Sequence, residues 1–277
     1  MGSSHQAFIA VSVGNTSLQL ARYGTEATPE APVHLSQLRL PVLQPDFEVL
    51  QHWLGAETHP WYVASVNRTA EEPIRTWLRD TRPSTPYQLL SNRDFPLILD
   101  VEQPERVGTD RVANGVAVRR AKPPHEAAII VDSGTAITVD GLSADGRFLG
   151  GAILPGVRLS ARALQLGTDQ LPQVELDVAD ERPSPIGRST HAAIASGLHW
   201  GSVGAVRQLV QGLAETMGCP AGGACPLFIT GGDGQRLLPH LGPSAQWVPD
   251  LVLQGIATTA MVVMGLEAKS PSAGHES

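Results

Sequence analysis

Cysteine, aromatic side chains, cationic excess and long apolar runs are all scarce in this chain, and each shortage removes a class of protein. The two cysteines, Cys219 and Cys225, stand with five residues between them in a Gly/Pro-rich stretch. That spacing fits neither paired CxxC zinc ligation nor a disulfide framework, so both read as ordinary reduced thiols. The nine histidines are scattered without an HExxH or clustered pattern, and no structural metal is implied. Lys and Arg number 20 against 27 Asp and Glu, a formal charge of -7, which leaves no basic footprint for nucleic acid as a main partner. An anionic substrate then needs local help from helix-start N–H groups, a metal ion or a few placed arginines. No apolar run approaches the roughly 18 residues of a membrane span, and Met1-Gly2-Ser3-Ser4-His5 is not a basic region followed by an apolar stretch. The expectation is a cytoplasmic protein with no membrane partner.

Apolar residues are plentiful at 42%, with 17% charged, enough for a packed core. A length of 277 residues is nearly twice a typical domain of about 150 and suggests two domains around a cleft. Along the chain, residues 7–13 read as a buried strand, Gly14-Asn15-Thr16 as a tight polar turn, and residues 17–23 as its hairpin partner. Residues 61–66 and 87–90 read as further strands, 71–79 as a helix, and the Ala/Val-rich residues 112–121 as a buried helix after the loop Val107-Gly108-Thr109-Asp110-Arg111. Lys122-Pro123-Pro124-His125 reads as the hinge.

The opening theme then returns. Residues 129–140 again give an apolar strand, a small polar turn containing Gly134 and a β-branched strand, with a further partner over 147–153. Two such hairpins about 120 residues apart suggest duplicated domains, each a sheet followed by helices. Residues 156–166 and 189–215 read as helices, the latter interrupted near Gly201; 228–230 read as a strand ending in Gly231-Gly232, and 250–266 as the closing helix. The domains expected are 1–121 and 122–267, with 268–277 a disordered tail. Residues 25–59 and 166–185 yield no functional reading.

Chemistry concentrates in the turns. Two loops of Gly, Asn, Ser and Thr offer N–H and hydroxyl donors to phosphate oxygens, although a glycine turn alone is more often only a turn. Gly231-Gly232 would let a flat ligand such as adenosine approach the backbone, or would simply end a strand. Asp110 and Arg111 project from one tight loop. They suit a proton-accepting carboxylate beside an anion clamp, although such a pair is more often a helix-start Asp in a surface ion pair.

These blocks, in this order, resemble the type III pantothenate kinases, members of the actin, Hsp70 and sugar-kinase fold group. The resemblance runs from Ile9 to about Met264. It rests on Val13-Gly14-Asn15-Thr16, on Pro104 with residues 107–114, on Val131-Asp132-Ser133-Gly134-Thr135-Ala136-Ile137-Thr138, and on residues 146–156. Ile186-Gly187-Arg188-Ser189-Thr190, Ser196-Gly197-Leu198, Gly231-Gly232 and Pro249-Asp250-Leu251 continue it.

The resemblance implies an α/β fold of two duplicated ribonuclease-H-like (actin-like ATPase) domains, and transfer of the ATP γ-phosphoryl group, with Mg²⁺, to pantothenate as the entry step to coenzyme A. By the same resemblance Ser12, Val13, Gly14, Asn15, Thr16 and Thr135 would bind ATP. Gly108, Thr109, Asp110, Arg111 and Thr190 would bind pantothenate, with Asp110 as the proton acceptor, and Asp132 would bind a monovalent cation, K⁺ or NH₄⁺. A homodimer is implied, with part of the pantothenate pocket coming from the neighbouring subunit. Two positions depart from the family pattern. Ser12 replaces the Asp of Asp-x-Gly-Asn-Thr, which removes a carboxylate near the metal. Val101-Glu102-Gln103-Pro104 replaces Tyr-x-Asn-Pro, which removes a phenolic contact to the substrate. Two other readings stay open: a non-catalytic regulatory relative, and a kinase of this fold acting on another small hydroxyl compound.

Overall fold

The structure, a computed structural model, describes residues 7–25, 32–175, 182–219 and 225–266. The tail expected over 268–277 lies outside the described residues. Contacts divide the chain into two compact units, one made of residues up to Ala121 together with those from Leu251 onward, the other of Lys122–Asp250.

In the first unit, β1 (Ala7–Val13) is an almost unbroken apolar run because it is buried on both faces at the centre of its sheet. The turn at Gly14 closes with its N–H donating to the Ser17 carbonyl at 3.0 Å and leads into antiparallel β2 (Ser17–Gly24). β3 (Val33–Pro41) pairs outside β2 as an edge strand, and its polar, largely exposed residues fit that place. Asp46 then caps α1 (Phe47–Leu54), accepting from the N–H groups of Glu48 and Val49 at 3.0 Å each. β4 (Trp61–Ser65) and β5 (Tyr87–Leu89) add on the other side of β1 in parallel, joined by α2 (Arg68–Thr81), which Asn67 caps. The strand order is β3-β2-β1-β4-β5. Ile9, Val11, Leu18, Leu20, Trp61 and Ile74 fill its core. α3 (Thr109–Ala121) completes this stretch.

The second unit repeats the plan. β6 (Ala128–Ser133), β7 (Ala136–Leu142) and β8 (Phe148–Pro155) are antiparallel neighbours, while β9 (Leu227–Thr230) and β10 (Ala245–Trp247) continue from β6 in parallel. The order β10-β9-β6-β7-β8 is that of the first sheet, strand for strand. The hairpin repeat seen in the sequence is therefore a repeat of a whole five-stranded ribonuclease-H-like layer, in an α/β protein of actin-like type. Helices α4 (Val157–Gly167), α5 (Thr190–Thr216), α6 (Gly234–Leu237) and α7 (Leu251–Val263) follow. Among the described residues no helix is long and apolar enough to cross a membrane.

Two expectations change. α5 is one continuous helix of 27 residues, not broken at Gly201. Ser189 caps it, and burial of Ile194, Leu198, Val203 and Val206 outweighs the roughly 1 kcal/mol that each interior glycine costs. The closing helix α7 was expected in the domain 122–267 but packs on α3 and β1 of the first unit. A Cβ at Gly255 would stand within 2.5 Å of the Ala113 carbonyl carbon, so glycine there is what lets α7 lie directly on the α3 backbone.

Candidate active site

Both sheets carry their sequence-marked residues at the carboxyl ends of the central parallel strands, the edge where open α/β sheets bind ligands. In the first unit this edge joins β1 to β4. The Val66 N–H donates to the Val13 carbonyl at 3.1 Å, just before the turn that exposes Asn15 and Thr16. Ser12 is buried at 7% exposure one residue upstream, in register with Ala64 of β4. The Thr109 hydroxyl donates to the Ser65 carbonyl at 3.3 Å, tying the Asp110 loop to the same edge.

The loop at Gly108 turns out to be the start of α3, which begins at Thr109 and not at residue 112, so Asp110 and Arg111 occupy its first turn. Asp110 Oδ1 accepts from the Arg111 N–H at 2.8 Å, and both residues are half-buried. A carboxylate there satisfies a helix-start donor and gains from the helix dipole. The space it occupies exists only because residue 108 has no side chain: a Cβ on Gly108 would stand 2.6 Å from Asp110 Oδ1 and 3.6 Å from Val66 Cγ1. Asn92 braces the loop from behind, its Nδ2 donating to the carbonyls of Pro104 at 2.7 Å and Val107 at 2.8 Å. Reading the sequence missed Asn92, and no local pattern marks it, since its partners lie 12 and 15 positions away.

In the second unit the turn after β6 is held from two sides. Gly134 N–H donates to the Ala136 carbonyl and Gly156 N–H to the Thr135 carbonyl, each at 3.0 Å, and a Cβ on Gly156 would stand 2.6 Å from Thr135 O. On the other side the Asp233 N–H donates to Ser133 O at 2.9 Å. Gly231 has φ +86° and faces the Asp132 carboxylate, with room for a Cβ only 2.5 Å from Ser133 O. The glycine pair thus serves first to seat β9 against Asp132 and Ser133, leaving Gly232 exposed. Asp132 itself is half-buried, in register with Thr138 and Thr230. Thr190, first residue of α5, lines a mainly apolar groove of about 860 Å³ between α4 and α5, which Pro155 and Val157 on either side of Gly156 also line. Among the described residues no group of three or more His, Cys, Asp or Glu side chains is placed to hold a metal.

A family model described as type III pantothenate kinase matches residues 8–212. The chain belongs to the type III pantothenate kinase family. Among curated relatives, a type III pantothenate kinase of Legionella pneumophila is 39% identical over 184 residues, 64% of this chain and 66% of the relative, just under two thirds of its length. Those of Halorhodospira halophila and Rhodopirellula baltica are 45% and 39% identical over 161 and 202 residues, covering 56% and 70% of this chain and 57% and 69% of theirs. In fold, the chain is similar to a Campylobacter jejuni protein described as a Baf family transcriptional activator, at TM-score 0.58 and 18% identity over 93% of this chain and 100% of that one. It is also similar to the activator of 2-hydroxyisocaproyl-CoA dehydratase from Clostridium difficile, at TM-score 0.50 and 12% identity over 97% and 100%. Within the type III pantothenate kinase match fall both glycine-bearing turns, Asp110, Asp132 and Thr190, whereas Gly231-Gly232 and α7 lie beyond it.

Proposed function

We propose that this chain phosphorylates the primary hydroxyl of pantothenate with ATP, giving 4′-phosphopantothenate, the first step of coenzyme A synthesis. Family membership motivates the substrate. The observation that supports catalysis is Asp110, held at a helix start in a space kept open by Gly108, at the sheet edge that also presents Asn15 and Thr16.

In this reading Ser12, Val13, Gly14, Asn15, Thr16 and Thr135 hold ATP through backbone N–H and hydroxyl donors. Gly108, Thr109, Asp110 and Arg111 hold pantothenate, the guanidinium pairing with its carboxylate while Asp110 takes the hydroxyl proton. Asp132, an oxygen ligand at the matching place on the second sheet, suits a hard cation and is assigned to the monovalent ion, K⁺ or NH₄⁺. The divalent ion would come with the nucleotide, where it neutralises phosphate charge. Thr190 is assigned to pantothenate across a homodimer. The groove beside it, and the exposure of Ile153, Leu159, Leu166 and Ile186 in the same unit, support a second copy as the cover.

Ser12 favours one other reading, a non-catalytic relative, because a buried hydroxyl replaces a charge that would help organise the metal. One assay separates them: ATP-dependent formation of 4′-phosphopantothenate by the purified protein with Mg²⁺, with and without K⁺, beside Asp110→Asn. Product that disappears in Asp110→Asn, a near-isosteric change, upholds the kinase. No product from a folded wild-type chain overturns it in favour of the non-catalytic relative.

A further inference from the structure

A group of cationic and imidazole side chains in the second unit plays no part in the reading above. His199 and Trp200 stand together on α5, their rings 5.0 Å apart, and His240 packs on both at 5.3 and 5.2 Å. Arg182 lies over the Trp200 ring at 5.0 Å, and the indole N–H is already engaged by the Pro183 carbonyl at 3.0 Å. Trp200 is therefore a fixed wall. Arg236 on α6 and Arg207 on α5 complete the group, close enough to disfavour protonation of His199 and His240 respectively.

The group has donors without acceptors. His199 is only 6% exposed and its Nε2 has no hydrogen-bond partner; Nε and Nη2 of Arg236 are likewise buried and unmatched. Among the described residues no ion pair engages Arg182, Arg207 or Arg236. The carboxylate nearest in sequence, Asp233, pairs instead with Arg158 at 3.8 Å. Native proteins leave few buried polar groups unmet, since each costs about 1–3 kcal/mol, and His199 and Arg236 between them leave three such atoms. Both imidazoles are held below their usual pKa, first by burial and then by neighbouring cations, with no opposing carboxylate. His240 and Arg207 also open onto a groove of about 640 Å³ with a mixed lining, Gln208, Gln211 and Ser244 beside Ile129, Val210 and Leu227.

We propose that His199, Arg236 and His240, flanked by Arg182 and Arg207, form a binding site for the phosphoryl group of a small organic phosphate whose body lies in the adjoining groove. A phosphate dianion supplies the acceptors that Arg236 and a protonated His199 lack, and the planar guanidinium can bind two of its oxygens at once. The proposal does not depend on which reaction the enzyme performs.

The test uses the full chain without nucleotide and follows the imidazole Cε1 proton resonances, assigned with His199→Gln and His240→Gln. Inorganic phosphate and glycerol 3-phosphate are titrated in separate arms. Expected is a rise of about one unit or more in the His199 pKa at saturation, as for a group gaining an opposite charge within reach. Arg236→Gln, folded by circular dichroism, should weaken binding at least tenfold. Tighter binding of glycerol 3-phosphate supports the groove as part of the site; equal binding keeps the anion site but overturns an organic ligand. The whole proposal fails if 50 mM of either probe leaves both resonances unmoved, or if Arg236→Gln binds as tightly as the wild type.

Discussion

Gly108→Ala separates positioning of Asp110 from folding. The added Cβ would come within 2.6 Å of Asp110 Oδ1, about 0.8 Å inside ordinary van der Waals contact, while Val66 Cγ1 at 3.6 Å is no obstacle. The atom in the way is the end of a short side chain, so the carboxylate rotates and the backbone stays. That rotation breaks the 2.8 Å bond from the Arg111 N–H, a helix-start interaction worth about 1 kcal/mol, and alanine restores part of it by reducing unfolded-state entropy. Stability should change by no more than about 1 kcal/mol. With Asp110 as the proton acceptor proposed above, catalysis should not be so tolerant: a shift of nearly 1 Å in such a group is worth roughly a hundredfold in rate, or about 2.7 kcal/mol. The assay is steady-state phosphorylation of pantothenate, with urea denaturation of the same preparation. Full kcat in Gly108→Ala would refute the reasoning, because it would mean the reaction does not need Asp110 where Gly108 puts it. A kcat loss matched by a collapse of stability would refute it too, since the residue would then be structural.

The other expectations concern stability and reactivity. Gly231→Ala meets both a φ of +86° and a clash with the Ser133 backbone, so it should lower unfolding free energy by more than about 2 kcal/mol in chemical denaturation; a neutral result would contradict the seating of β9 described above. Tyr87→Phe removes the phenol that donates to Glu71, a carboxylate only 5% exposed, and should cost about 1.5–3 kcal/mol, with Arg75 at 3.6 Å softening the loss. Cys225 sits with its Sγ 2.6 Å from that of Cys219, both thiols free, and burial pushes its pKa up to about 12 from 9.0. Alkylation of Cys225 in the folded protein should be negligible at pH 8 and rise with pH; labelling at the rate of an ordinary thiol would contradict this. The same shift has a stability consequence: the unfolded thiol ionises first, so its contribution is complete below pH 9 and falls away between pH 9 and about 12, as pH-dependent unfolding can show.

Local pattern in the sequence marked the central strands, their turns and the candidate site residues. β1 and β6 are legible because a buried central strand is a continuous apolar run. The turns at Gly14 and Gly134 follow because a hairpin needs small polar residues where it reverses. Gly108-Thr109-Asp110-Arg111 stands out because its acid, its base and its missing side chain are adjacent in the chain. β3 escapes such reading, since an exposed edge strand shows little apolar signal, and α1 because eight residues are too few for a clear period. Tertiary structure alone decided that Gly231 faces Asp132, that Gly156 backs the Thr135 turn, and that Asn92 holds the Pro104 loop, because each joins residues remote in sequence. It also decided that α7 returns to the first unit, where Gly255 meets Ala113 across more than a hundred residues of chain, a contact no window of local sequence contains.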